Sequence, residues 1–128
     1  MTQLVASFPL LFSGTTPSGY VIPLFWVDCD STLNSIGLPD LLFLAYRPDE
    51  QFATPDLLDD LDRSDRRDII VADGRPSQTI GSITTTFAVG SAQVPITLHV
   101  VAFPSTPRIG LDSIYQMFDV LGRTGQDS

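Results

Sequence analysis

Val21-Ile-Pro-Leu-Phe-Trp-Val27 runs straight into Asp28-Cys-Asp-Ser-Thr32, and the reading of that junction decides the fold. The first seven residues are apolar and rich in β-formers, as a buried strand requires. The next five are short and polar, the composition of a turn that halts a strand. Upstream, Phe8-Pro-Leu-Leu-Phe12 reads as a strand and Ser13 to Gly19 as a loop of turn formers. Residues 8–27 therefore read as a hairpin, with Tyr20 to Val27 as its second strand.

Downstream, Leu33 to Gly37 leads out of the polar turn. Leu41 to Tyr46 is apolar and short enough to be strand or helix, in a region broken by Pro39, Pro48 and Pro55. Leu57, Leu58 and Leu61 recur at helical spacing behind Pro55, which suits a first turn. Six acids and three arginines fall between Asp56 and Asp68, read as a solvated face with local ion pairs. Ile69 to Ala72 predicts a strand, Asp73-Gly74 a turn, and Ile80 to Val89 a β-branched strand. Gly90 to Gln93 turns the chain into Val94 to Phe103, a further strand interrupted by Pro95. Leu111 to Leu121 predicts a helix with Ile114, Met117, Phe118 and Leu121 on one face and Gly122 as its stop. The whole, residues 1–128, reads as a single mostly β domain with one or two short helices.

Composition narrows the function. The chain has 128 residues, 7 Arg and no Lys against 15 acids, and a net charge of −8. Such a chain is repelled by phosphate, which argues against nucleic-acid partners and anionic membrane surfaces. No apolar run reaches the 18 residues of a spanning helix, and the N-terminal apolar stretch lacks the basic flank of a secretory signal. Cys29 is the only cysteine, so no intrachain disulfide or multi-cysteine zinc site is available. An intracellular, cytoplasmic setting is the expectation. Asp60-Leu-Asp-Arg-Ser64 has the alternating oxygens of a calcium loop but lacks its glycine and terminal glutamate. His99, the only histidine, reads as a satisfied or edge residue of an apolar strand. Nothing in the sequence joins it to Cys29 as a nucleophile pair.

The order of motifs resembles the retropepsin family, the single-domain aspartic proteases of retroviruses and gypsy-type retroelements. The family has an apolar strand followed by Asp-(Ser/Thr/Cys)-Gly-Ala-(Ser/Thr), and here Val27-Asp28-Cys29-Asp30-Ser31-Thr32 stands in that place. Its Val-Ala-Asn/Asp-Gly turn is matched by Val71-Ala-Asp-Gly74, and its Gly-bearing flap strand by Thr79-Ile-Gly-Ser-Ile83. Its Ile-Leu-Gly-x-Asp-x-Leu segment, before a helix, is matched by Arg108-Ile-Gly-Leu-Asp-Ser-Ile114. The resemblance covers residues 8–120. It implies a closed acid-protease β-barrel, a flap at about 70–83, a C-terminal helix at about 111–121, and a homodimer in which each chain supplies one aspartate. Asp28 would be the catalytic residue and Cys29, Asp30, Ser31 and Thr32 the rest of its motif. Ala72, Asp73, Gly74 and Arg75 would form the flap over the substrate, and Arg108, Ile109 and Gly110 the cleft wall. Two facing carboxylates would share a proton and activate a water against a peptide or polyprotein bond, without metal or cofactor.

Two positions depart from the pattern. Asp30 replaces the family's glycine on the cleft floor, where it adds a carboxylate to each half of the site. Arg108 replaces an apolar wall residue, and the two changes are expected to be linked as an ion pair. The alternative to a retroelement-derived endopeptidase is therefore a catalytically degenerate homodimer used as a dimerisation or peptide-binding module.

Overall fold

The computed structural model describes residues 7–10, 13–23, 25–28, 33–48, 55–71 and 73–126. Strands dominate: β1 (Ser7–Leu10), β2 (Gly14–Thr15), β3 (Val21–Ile22), β4 (Phe25–Asp28) and β5 (Ser35–Gly37) precede helix α1 (Leu38–Leu44) and a 3-10 turn (Pro55–Asp60). Then come β6 (Asp68–Ile70), β7 (Pro76–Gln78), β8 (Gly81–Val89), β9 (Ala92–Val101), β10 (Arg108–Gly110) and helix α2 (Leu111–Gln126). Among the described residues the strands form an eight-stranded sheet, ordered β1-β4-β10-β5-β9-β8-β2-β3, and a separate β6-β7 ribbon.

That order curls the sheet. β3 and β4 are separated in sequence by residues 23 and 24 alone, yet β3 lies at one end of the order and β4 near the other. A chain so short reaches both only if the sheet bends its ends together, giving a half-barrel with a filled interior. The expected single strand from Tyr20 to Val27 is thus two strands in different places, divided at Pro23. β3 pairs with β2 while β4 pairs with β1 and β10.

Period-2 alternation fills the interior. Ile83, Thr85, Phe87 and Val89 of β8 face inward with Val94, Ile96, Leu98 and Val100 of β9, and Thr84, Ala88, Pro95 and Thr97 face out. Thr85 is tolerated inside because its hydroxyl donates to the Ile96 carbonyl, 3.0 Å away. Pro95 is tolerated because β9 has its second neighbour, β5, only from His99 onward, so Pro95 sits at an edge. Phe25 and Phe87 meet edge to face at 5.0 Å, joining the two ends of the curl.

The ambiguous segment resolves as helix. Pro39 falls in the first turn of α1, where its missing N–H is harmless. α2 packs on the half-barrel with Ile114 and Met117, both buried. Two expectations for α2 are corrected. The helix continues past Gly122 to Gln126, because Gly122 has no positive φ and stops nothing. Phe118, expected on the inner face, is 56% exposed.

The acidic segment is also less solvated than its composition implies. Asp56 accepts from the Tyr20 hydroxyl at 2.9 Å and pairs with Arg47, whose guanidinium lies 4.2 Å over the Tyr20 ring. Asp60 accepts from both the backbone and hydroxyl of Ser18. These contacts, not local helix pairs, dock the 3-10 turn and bury Leu57. Arg67–Asp65 is the local pair that the composition suggests.

Candidate functional site

β4 and β10 run side by side in the same direction, with Trp26 opposite Arg108, Val27 opposite Ile109 and Asp28 opposite Gly110. Alternation sends Phe25, Val27 and Ile109 into the core, where each is fully buried. The same alternation puts Trp26, Asp28 and Arg108 on the other face. Arg108 is the diagonal neighbour of Asp28, a span that a long side chain bridges. Its Nη1 donates to Asp28 Oδ2 at 3.1 Å. The Asp28 side chain is 15% exposed and that of Arg108 48%, so the aspartate is shielded while the arginine reaches solvent. A half-exposed pair of this kind contributes about 1 kcal/mol or less. It is weak enough to be exchanged for another partner.

The expected partner of Arg108 was Asp30. Cys29, Asp30, Ser31 and Thr32 lie outside the described residues, as does Ala72. Among the described residues Arg108 bonds to Asp28.

Asn34 holds this corner together and was not singled out in the sequence. Its Oδ1 accepts the Gly110 N–H at 2.8 Å, and its Nδ2 donates to Ser113 Oγ at 2.9 Å and to the Thr97 carbonyl at 3.3 Å. Its backbone carbonyl accepts the His99 N–H at 2.8 Å. One residue thus ties β10, the first turn of α2 and β9 to the start of β5. An asparagine six residues after the aspartate was the available signal, and it reads equally well as an ordinary loop residue.

Gly37 sets the approach to Arg108. Its N–H donates to the Ser105 carbonyl at 2.7 Å, and Asp40 Oδ2 accepts the Ser105 N–H at 2.7 Å. Residues 102–107 are thereby drawn against the start of α1. Pro107 then accepts the Trp26 N–H at 2.8 Å as the chain enters β10.

The β6-β7 ribbon pairs Asp68 with Gln78, Ile69 with Ser77 and Ile70 with Pro76. Its turn closes through Val71 and Arg75, with Gly74 at φ +86°, a conformation that favours glycine. Asp73 and Arg75 pair at 2.6 Å on the exposed tip. The root is fastened by reciprocal Arg67 and Thr79 bonds and by Ser82 Oγ donating to Asp65 at 2.8 Å. Asp65 is held below the usual carboxylate range by that hydroxyl and by Arg67.

Beneath the ribbon lies a cavity of about 440 Å³, walled by Leu33, Ile69, Val71, Val101 and Phe103 and floored in part by His99. Neither Asp28 nor Arg108 lines it, but Ser35 does, and Ser35 is paired with Arg108 on one side and His99 on the other. His99 is neither an edge nor a satisfied histidine. It sits in β9 between β5 and β8, is 5% exposed, and its Nδ1 has no hydrogen-bond partner among the described residues. Burial pushes its pKa down, with Asp65 opposing and Arg67 adding to the shift.

Comparison with protein-family models, with curated proteins and with solved structures finds no match.

Proposed function

We propose that this chain is a retropepsin-like aspartic endopeptidase of retroelement origin that works as a homodimer, with one Asp28 from each protomer. The observation that carries the proposal is the β4–β10 pair. It sets Asp28 at a strand end, on the face away from the core, directly opposite Gly110. The β6-β7 ribbon supports the reading as the flap, and the curled sheet as one half of a closed acid-protease barrel. In the dimer, two Asp28 carboxylates hold one proton between them. The ionised one takes a proton from a water, the water oxygen adds to the peptide carbonyl, and the other carboxyl protonates the carbonyl oxygen. Collapse of that adduct breaks the C–N bond and the amine leaves with a proton. The chemistry uses protein groups and water alone. The proposed setting is inside the cell, with a peptide or polyprotein as substrate.

The Arg108–Asp28 pair favours a second reading, in which the dimer is retained and catalysis is not. A guanidinium on Oδ2 competes with the water and with the facing carboxyl for the same oxygen. Cleavage of a mixed peptide library between pH 3 and 7 separates the two. The peptidase reading requires cleavage by the parent and none by Asp28→Asn. The second requires dimers of unchanged affinity in both proteins and cleavage in neither.

A further inference from the structure

We propose that Arg108 is a specificity-determining residue that selects peptides carrying a carboxylate side chain, Asp or Glu, next to the bond held at Asp28. The inference rests on the proposed peptide site and names its substrate class.

Arg108 lies one diagonal step from Asp28 on the same face of the β4–β10 pair, so whatever meets the Asp28 carboxylate also meets the guanidinium. A guanidinium has five N–H donors in a planar fork. Among the described residues Arg108 commits one nitrogen, Nη1, to Asp28, and the side chain is half exposed. The other guanidinium nitrogens make no hydrogen bond among the described residues. An apolar substrate side chain laid there would strip water from a cation and give nothing back. A carboxylate side chain would restore that charge and accept two parallel N–H bonds.

The same contact explains how the site works with an arginine beside its aspartate. The pair with Asp28 is monodentate and partly solvated. A bidentate carboxylate from a peptide is a better partner for the same fork, so binding of an acidic side chain draws Arg108 from Oδ2. The chain's net charge of −8 opposes the approach of an acidic segment. Exposed charges are screened over about 8 Å at physiological salt, so the adjacent guanidinium governs the contact.

The test uses octapeptides of Val, Ala and Phe in which each of the four central positions is in turn Asp, Asn or Leu. Binding is read by calorimetry with the full chain and cleavage by mass spectrometry. At one position the Asp peptide is expected to bind, and to be cleaved, at least about tenfold better than its Asn twin. That ratio should fall in 0.5 M salt, vanish in Arg108→Leu and persist in part in Arg108→Lys. Arg108→Leu should instead favour the Leu peptide. Equal binding of Asp and Asn peptides at every position, or a preference that survives Arg108→Leu, overturns the inference. Selective binding without cleavage would sink the peptidase reading and leave the Arg108 assignment standing. Cleavage without acid preference would do the reverse.

Discussion

Gly37 is the position where a single methyl group tests the construction of the site. A Cβ there would overlap the Phe103 carbonyl oxygen and the Ser105 nitrogen and lie 2.8 Å from Asp40 Oδ2. Two of those neighbours are backbone, so the 103–105 segment must move. The move endangers two hydrogen bonds, Gly37 N–H to Ser105 C=O and Ser105 N–H to Asp40, each 2.7 Å. A neutral bond contributes about 1 kcal/mol and one to a carboxylate about 1.5–3 kcal/mol. Against this, Gly37 has φ −74° and ψ 145°, which alanine adopts freely. Removing unfolded-state freedom therefore returns about 0.4–1 kcal/mol. Gly37→Ala is expected to lose about 2–3 kcal/mol, read from the urea midpoint at fixed protein concentration with an unchanged slope. Gly122→Ala is the control. It has open space around it within α2 and should gain about 0.5–1 kcal/mol. A loss below about 0.5 kcal/mol for Gly37→Ala would refute the close approach of the 102–107 segment to α1.

Further expectations follow from other contacts. Phe87→Ala removes a fully buried ring and its edge-to-face contact with Phe25, and should cost about 3–5 kcal/mol in the same urea assay. Asn34→Ala leaves the Gly110 N–H and Ser113 hydroxyl without their partner. It should lose about 1–3 kcal/mol and lower peptide binding as well as stability, since Gly110 stands opposite Asp28. His99, with its pKa depressed by burial, binds protons more readily unfolded than folded. Its contribution is present above pH 6.5 and is lost as pH falls from there towards the folded pKa. His99→Leu should flatten that part of the stability profile. Asp65, also depressed, acts lower, its contribution being lost only as pH falls below 3.8. A parent profile with no slope between pH 5 and 6.5, or a slope unchanged in His99→Leu, would contradict the burial of His99.

The long strands were legible because both signals agree in them. β8 and β9 combine β-branched residues with strict alternation, and the structure has them within a few residues of their expected ends. The split at Pro23 was not legible, because Val21-Ile22 and Phe25 to Asp28 have the same composition. Only pairing distinguishes them, and their partners are distant in sequence. Phe118 follows helical periodicity, yet the face it shares with Tyr115 is exposed, at 56% and 60%. Asp56 and Asp60 looked like solvated charges because their partners, Arg47, Tyr20 and Ser18, lie far upstream. At the site, Asp28 and Arg108 were singled out by type and order. Their diagonal placement follows from the parallel β4–β10 register, which no local pattern encodes. The role of Asn34 is hidden in the sequence for the same reason, since an amide's role depends on which chain groups meet it.

The most direct measurement is cleavage of the mixed peptide library from pH 3 to 7 by the parent, Asp28→Asn and Asp30→Gly, with the oligomeric state of each followed by analytical ultracentrifugation. The expected result for a retropepsin-like peptidase is a dimeric parent that cleaves and an Asp28→Asn dimer that does not. A parent that is monomeric at every pH, or cleavage that survives Asp28→Asn, would contradict it. A silent parent beside an active Asp30→Gly would place the block on the cleft floor and make the parent the non-catalytic dimer of the second reading.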